Sequence, residues 1–217
     1  LKHKGLSKHD EAMLFVCGSG KVAGASLRIL EALKGFKTTI VYIVPDLEFS
    51  SDREQKRHRA HFGILQEYTR SGMVNDMIIL ENKKMFEVAG TGTTLKYFEK
   101  VNFLIYNTIQ NIMYCRHVKP DFGRLHMKKE ISSISTIGLG KFPEEEKLLF
   151  LLDNITETCY IINIEEEDLD NDESIIPSCQ NIVRENKALA RNTSFAIWKS
   201  SDENNYFSIH YTHFIQE

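Results

Sequence analysis

The stretch that most constrains this chain runs from Ala12 to Lys34. An apolar run, Ala12-Met13-Leu14-Phe15-Val16, leads into the glycine-rich turn CGSGKVAGAS (17–26) and then into the helical pattern LRILEALK. Glycines leave room for consecutive backbone N–H groups to gather at a helix N-terminus, which is where an anion such as phosphate is held. The pattern also opens a strand–helix–strand unit. KTTIVYIV (37–44) is β-branched and continuously apolar, the look of a strand buried on both faces, and VNDMIIL (74–80) is a third such strand. The charged segment 52–70 between them reads as a helix. Three buried strands separated by helices predict a parallel sheet with right-handed crossovers.

Beyond this unit the spacing predicts one long helix over 95–117, with Leu95, Phe98, Leu104, Ile105, Ile109, Ile112 and Met113 on its apolar face and Pro120 beyond its end. At 1.5 Å per residue it would run about 33 Å, enough to cross a domain. The texture then changes. A half-buried strand is expected at 130–138, a helix at 144–155, a strand at 159–164 and a helix at 177–190 with proline in its first turn. Two strands, 193–199 and 205–214, are expected to form a hairpin. The fold class is therefore α/β, with two domains, 1–117 including the long helix and 118–217 with a mixed sheet.

Bulk properties narrow the function. With 217 residues and a net charge of -3, the chain carries no general attraction for nucleic acid or an anionic membrane. No apolar run approaches the roughly 20 residues of a membrane span. Four widely spaced cysteines, Cys17, Cys115, Cys159 and Cys179, read as buried thiols of a reducing compartment, and a cytoplasmic location is expected.

Three templates compete for the glycine turn. A Walker loop needs glycine at position 15 and a hydroxyl at 22, where this chain has Phe15 and Val22, so that template fails. A dinucleotide fingerprint has two residues between its second and third glycines. Here Gly20 and Gly24 are separated by three, although Asp46 and Glu48 stand near the place of a ribose-binding acid. That alternative stays open. The third template draws on the whole chain. CGSGKVAGAS, IILEN (78–82), the 95–117 helix, VKPDFGRL (118–125), CYIINI, IIPSCQNIVREN, TSFAIWK and YFSIHYTHF follow one another in an order and spacing that resemble the tubulin and FtsZ superfamily from about residue 10 to 214.

That resemblance implies a partial Rossmann-like GTPase domain joined through a central helix to a second α/β domain. The family's first strands and a further phosphate loop would lie ahead of Leu1. It implies GTP or GDP as ligand, which magnesium can accompany. Gly18, Ser19, Gly20, Lys21, Val22, Ala23 and Gly24 would face the phosphates, and Asn82, Phe98 and Asn102 the base. An amide both donates and accepts, which suits guanine. The family's loop after the central helix reaches the nucleotide of the next subunit and polarises water with carboxylates. Asp121 remains in that catalytic position, whereas the second acid is Arg124 and the asparagine is Lys119. Arginine only donates hydrogen bonds, so weak or lost hydrolysis is expected. The implied protein is a cytoskeletal one whose partner is itself, assembled head to tail into filaments. The alternatives are a non-enzymatic assembly protein with the same fold and no nucleotide, and a dinucleotide-dependent enzyme built on Gly18, Gly20 and Asp46.

Other signals carry less. The acidic run EEEDLDNDE (165–173) has Glu173 and Cys179 where a calcium loop needs glycine and glutamate, so a solvated loop is expected. Cys115 and His117 lack further ligands, and no metal site is expected. His210 and His213 fall on opposite faces of a strand, and Trp198 is expected in the core.

Overall fold

A computed structural model describes residues 11–20, 22–90, 96–126, 133–186, 190–201 and 204–217. Its centre is one mixed sheet. Strands β1 (Glu11–Cys17), β2 (Lys37–Val44) and β3 (Asp76–Glu81) are parallel neighbours, as the apolar runs predict. Helix α1 (Ser26–Ala32) follows β1, and α2 (Asp52–Arg70) connects β2 to β3. The start of α2 is fixed by a capping box, in which the Ser51 N–H donates to Glu54 Oε2 at 2.9 Å. Its buried side, His58, Phe62, Leu65, Gln66 and Thr69, keeps helical spacing against the sheet.

The last turn of β3 runs directly into α3 (Asn82–Ala89), and then comes α4 (Tyr97–His117), 21 residues and about 30 Å long. Val101, Ile105, Ile109 and Ile112 of α4 bury against Val41 and Ile78 on one side and Ile137, Ile161 and Ile209 on the other, so one helix covers both halves of the sheet. Leu95 lies outside the described residues. A salt bridge and a polar contact set the direction of α4: Arg116 Nη1 lies 3.8 Å from Asp76 Oδ2 at the start of β3, and His117 Nε2 lies 3.9 Å from Glu11 Oε2 at the start of β1. The helix therefore runs antiparallel to the first three strands.

The second half contributes β4 (Phe122–Gly123), β5 (Ile134–Lys141), β6 (Lys147–Leu148), β7 (Glu157–Glu165), α5 (Glu166–Asn171), α6 (Ile175–Asn186), β8 (Asn192–Ser200) and β9 (Asn205–Thr212). The sheet order is β1-β2-β3-β5-β9-β7-β8-β4, with β6 on β5. The two halves meet at β3 and β5, where only Met77 with Ile134 and Ile78 with Ser135 pair. On the face away from α4, the α2 side packs around Tyr42, Leu65 and Met77, and the α6 side around Tyr160, Ile162 and Cys179. Between these clusters lies a polar cluster: His210 Nδ1 is 3.0 Å from Thr158 Oγ1, and its Nε2 is 2.9 Å from Ser208 Oγ and 3.1 Å from Glu146 Oε1.

The structure corrects several expectations. Residues 144–155 form no helix. Leu149 is buried beside the narrow β3–β5 junction, its N–H donating to Ile137 O at 2.8 Å and its carbonyl accepting from the Glu81 N–H at 2.7 Å. A helix there would leave both strands with unmatched backbone groups. β8 and β9 form no hairpin, because β9 lies between β5 and β7, antiparallel to both, while β8 is parallel to β7. β9 is buried over most of its length, which suits its interior position. Asn204 holds the crossing: its Oδ1 accepts from the Glu165 N–H at 2.7 Å and its Nδ2 donates to Asp168 at 2.6 Å. Part of the acidic run is helix α5 rather than loop. β1 is an edge strand in which only Val16 is buried; Phe15 is 51% exposed and Cys17 is exposed, unlike the other three cysteines. His213 lies beyond the end of β9, and Trp198 is in the core.

Candidate functional site

The C-terminal ends of β1, β2 and β3 lie together, since Cys17 pairs with Ile43 and Val44 with Glu81. They bring the glycine turn, Asp46 and Asn82 to one edge of the sheet, the position in open α/β sheets where ligands bind. The turn is pinned from below. The Gly18 N–H donates to Ile43 O at 3.0 Å, and the Ser19 carbonyl accepts from Arg57 Nη1 of α2 at 3.1 Å. Gly18 is obligatory here, because a Cβ would stand 2.4 Å from the Tyr42 hydroxyl and 2.8 Å from His58 Nδ1. Tyr42 and His58 are themselves bonded at 2.8 Å. Burial pushes the Tyr42 phenol up; burial first, then the charges of Arg59 and His61, hold His58 below its ordinary value.

Gly24 is different, since a Cβ there would meet nothing closer than His61 at 3.8 Å. Neither Gly18, Gly20 nor Gly24 has a left-handed backbone, and Val22 sits in the right-handed region at φ -89°, ψ -7°. A β-branched residue at 22 therefore carries no backbone strain. The N–H groups of Gly18, Gly20, Ala23 and Ala25 are bonded to carbonyls within or beside the turn. Those of Ser19 and Val22 have no carbonyl acceptor among the described residues. These two N–H groups, beside a Gly24 whose missing Cβ would only touch His61, are what the turn offers an anion. Lys21 lies outside the described residues, and Ala23 is buried at the start of a short 3-10 turn.

Asn82 is the first residue of α3, half-buried, directly after β3. Phe98 and Asn102 are exposed on the first turns of α4, which its direction places at the glycine-turn end. Asp46 is a cap: its Oδ1 accepts from the Glu48 N–H at 3.1 Å. Sequence reasoning missed α3 and the anchoring role of Arg57. Arg57 is bonded to a carbonyl 38 residues earlier, and a contact of that kind leaves no local pattern.

The loop 118–125 lies at the opposite edge, beyond the C-terminus of α4. Asp121 is exposed, and its Oδ2 accepts from the Lys199 N–H at 2.9 Å. Arg124 is exposed, its backbone N–H bonded to Phe195 O at 3.1 Å. The glycine turn and this loop are thus two separate ends of one molecule, about a helix length apart, and do not meet within one copy.

No protein-family model matches the sequence, and no curated protein matches it. Solved structures do match. The fold is similar to CetZ from Methanosaeta thermophila strain DSM 6194 (TM-score 0.69, 12% identity, 94% of this chain and 61% of that one). It is similar to the empty FtsZ dimer of M. jannaschii (TM-score 0.65, 13% identity, 94% and 63%). It is also similar to the GTPγS-form protofilament of Bacillus thuringiensis serovar israelensis TubZ (TM-score 0.65, 11% identity, 95% and 61%). The chain has a tubulin/FtsZ-like fold. It spans about three fifths of the length of these neighbours.

Proposed function

We propose that this chain is a tubulin/FtsZ-like cytoskeletal protein that binds guanine nucleotide at the Gly18–Gly24 end and assembles head to tail, with weak or lost hydrolysis. The observation that carries the reading is the placement of the glycine turn and the 118–125 loop at opposite ends. A pocket completed by the loop of the next copy requires this polarity, and a heterologous contact of that kind propagates as a filament unless a ring closes. Two of the TubZ neighbours are protofilaments, one in a GTPγS form and one in a GDP form. In this reading 1–117 and 118–217 are the two domains, Ser19 and Val22 offer N–H groups to phosphate, and Asn82, Phe98 and Asn102 lie about the base. The protein works in the cytoplasm. Asp121, already bonded to Lys199, and Arg124 in an acid's place make a poor water-activating pair. The test is sedimentation and electron microscopy with GTP, GDP or neither, and with EDTA to read any magnesium dependence. Filaments that lengthen with GTP are expected; a monomer under every condition overturns the reading.

A second reading has the same assembly without nucleotide. It is favoured by the internal bonding of the Gly18, Gly20, Ala23 and Ala25 N–H groups. Stoichiometric GDP or GTP released on denaturing the purified protein would eliminate it. A dinucleotide enzyme built on Gly18, Gly20 and Asp46 is the weakest alternative, since Asp46 already caps a turn; calorimetry with NAD(P) decides it.

A further inference from the structure

Helix α4 runs from the glycine-turn end of the molecule to the 118–125 loop, and its two long sides differ. The inner side, with Val101, Ile105, Ile109 and Ile112, is buried on the sheet. The outer side presents Phe103, Tyr106 and Tyr114 at 66%, 62% and 57% exposure, with Gln110 and Asn111 exposed between them. Positions 103, 106, 110 and 114 follow helical spacing and so lie on one line along the helix. From Val101 to Cys115 the helix carries no charged residue. The outer side of a surface helix is ordinarily charged. Exposed aromatics without charge are instead the composition of an interface core.

On the head-to-tail reading, on which this inference rests, α4 lies along the filament axis. Its outer side then faces the flank and stays clear of the contact between successive copies. Each copy adds one stripe, so stacking repeats the stripe along the whole filament. The stripe also matches its own reverse. When two such helices are laid antiparallel about a point between Thr108 and Ile109, Phe103 faces Tyr114 and Tyr106 faces Asn111. Glu99, exposed near one end, then comes opposite the 117–119 segment of the other helix, where Lys119 is exposed. Lys119 has no carboxylate partner among the described residues. Identical surfaces meeting in this way form an isologous contact. We propose that α4 pairs filaments side by side: the outer faces of two α4 helices, one from each of two antiparallel filaments of this chain, pack through Phe103, Tyr106 and Tyr114. One helix pair is small beside the roughly 800 Å² per partner of a stable protein contact, so single copies stay apart. Filaments joined at many copies gain from multivalency.

Electron microscopy of the unmodified chain and of F103S/Y106S/Y114S, under the conditions that give filaments, tests this. All three side chains are exposed and none belongs to the nucleotide site, and the melting temperature verifies the fold of the variant. The unmodified chain is expected to form paired filaments and the triple variant single ones, the ratio of paired to single falling at least about tenfold. Orientation is read by adding a short bismaleimide to a mixture of C17S/F103C and C17S/Y114C chains. More covalent dimer is expected in the mixture than in either chain alone. Single filaments from the unmodified chain, undiminished pairing in the triple variant, or no excess of dimer in the mixture would each overturn the proposal and leave the head-to-tail reading standing. An unmodified chain that forms no filament at all overturns that reading and this proposal with it, so the two failures are distinct.

Discussion

Arg116, in the last turn of α4, lies 3.8 Å from Asp76, the first residue of β3. This pair joins the end of the helix to the beginning of the strand and so fixes which end of the long helix meets which edge of the sheet. Asp76 is buried and Arg116 is partly exposed. Removing the guanidinium should leave a charge in a poorly hydrated place, an effect much larger than the loss of a surface pair. R116M is expected to lower unfolding stability by about 1–3 kcal/mol, and R116M/D76N to recover part of the loss. Urea denaturation followed by circular dichroism measures both.

Gly18 and Gly24 should respond differently to the same substitution. G18A drives a methyl against the Tyr42 hydroxyl and His58, and is expected to cost about 1–3 kcal/mol and to displace the turn. G24A meets only ordinary contact and should leave the melting temperature nearly unchanged. On the nucleotide reading, titration with a fluorescent GTP analogue should also find binding weakened by about tenfold in G18A, a loss of order 1.4 kcal/mol. Equal behaviour of the two variants would contradict the geometry.

Acidification should weaken the fold through His58. Its folded-state value lies below its ordinary 6.5, because burial and the neighbouring positive groups disfavour the imidazolium. The unfolded chain therefore binds the extra proton first. The contribution is fully present above about pH 6.5 and is lost as pH falls from there toward the lower folded value. Melting temperatures measured between pH 5 and 7.5 should show this slope, and it should flatten in H58Q.

Thiol reactivity should single out one cysteine. Cys17 is exposed at the end of β1, whereas Cys115, Cys159 and Cys179 are buried. Burial pushes the Cys115 thiol up to about 11 and Cys179 to about 12, further suppressing their thiolates. Native-state alkylation followed by peptide mass spectrometry should find modification at Cys17 first and the other three only on unfolding. On the nucleotide reading GTP should slow that reaction, since Cys17 adjoins the glycine turn.

Hydrolysis gives a last prediction. If Arg124 is what silences water activation, R124D should raise phosphate release from GTP by about tenfold over the unmodified chain, a change of order 1.4 kcal/mol in the barrier. No increase in a variant that still forms filaments would place the defect elsewhere.

Much of the first half was legible because its signals are local. KTTIVYIV has no polar alternation, so it had to be an inner strand, and Ser51 with Glu54 marks the start of α2 in the sequence itself. The periodic residues Ile105, Ile109 and Ile112 gave α4 its buried face. The second half misled where partners are remote. The run around Leu149 looks helical by composition, yet its backbone groups are claimed by Ile137 and Glu81. Residues 193–214 look like a hairpin, but β9 is paired along both edges by β5 and β7 while β8 pairs with the far edge of β7, and Asn204 carries the chain across. At the candidate site the order of motifs revealed which residues share an end. It could not show that Arg57 braces Ser19, that Tyr42 closes on Gly18, or that Asp121 is engaged by Lys199.

The place of β9, later in sequence than β5 and β7 yet lying between them, bears on how the chain is made. On the ribosome, β5 and β7 emerge well before the strand that must separate them, and their inner edges stay open until residue 212 has cleared the exit tunnel. A nascent chain stalled short of that point would carry two sticky borders instead of a closed sheet. The sheet of the second half can thus close only after β9 has been made.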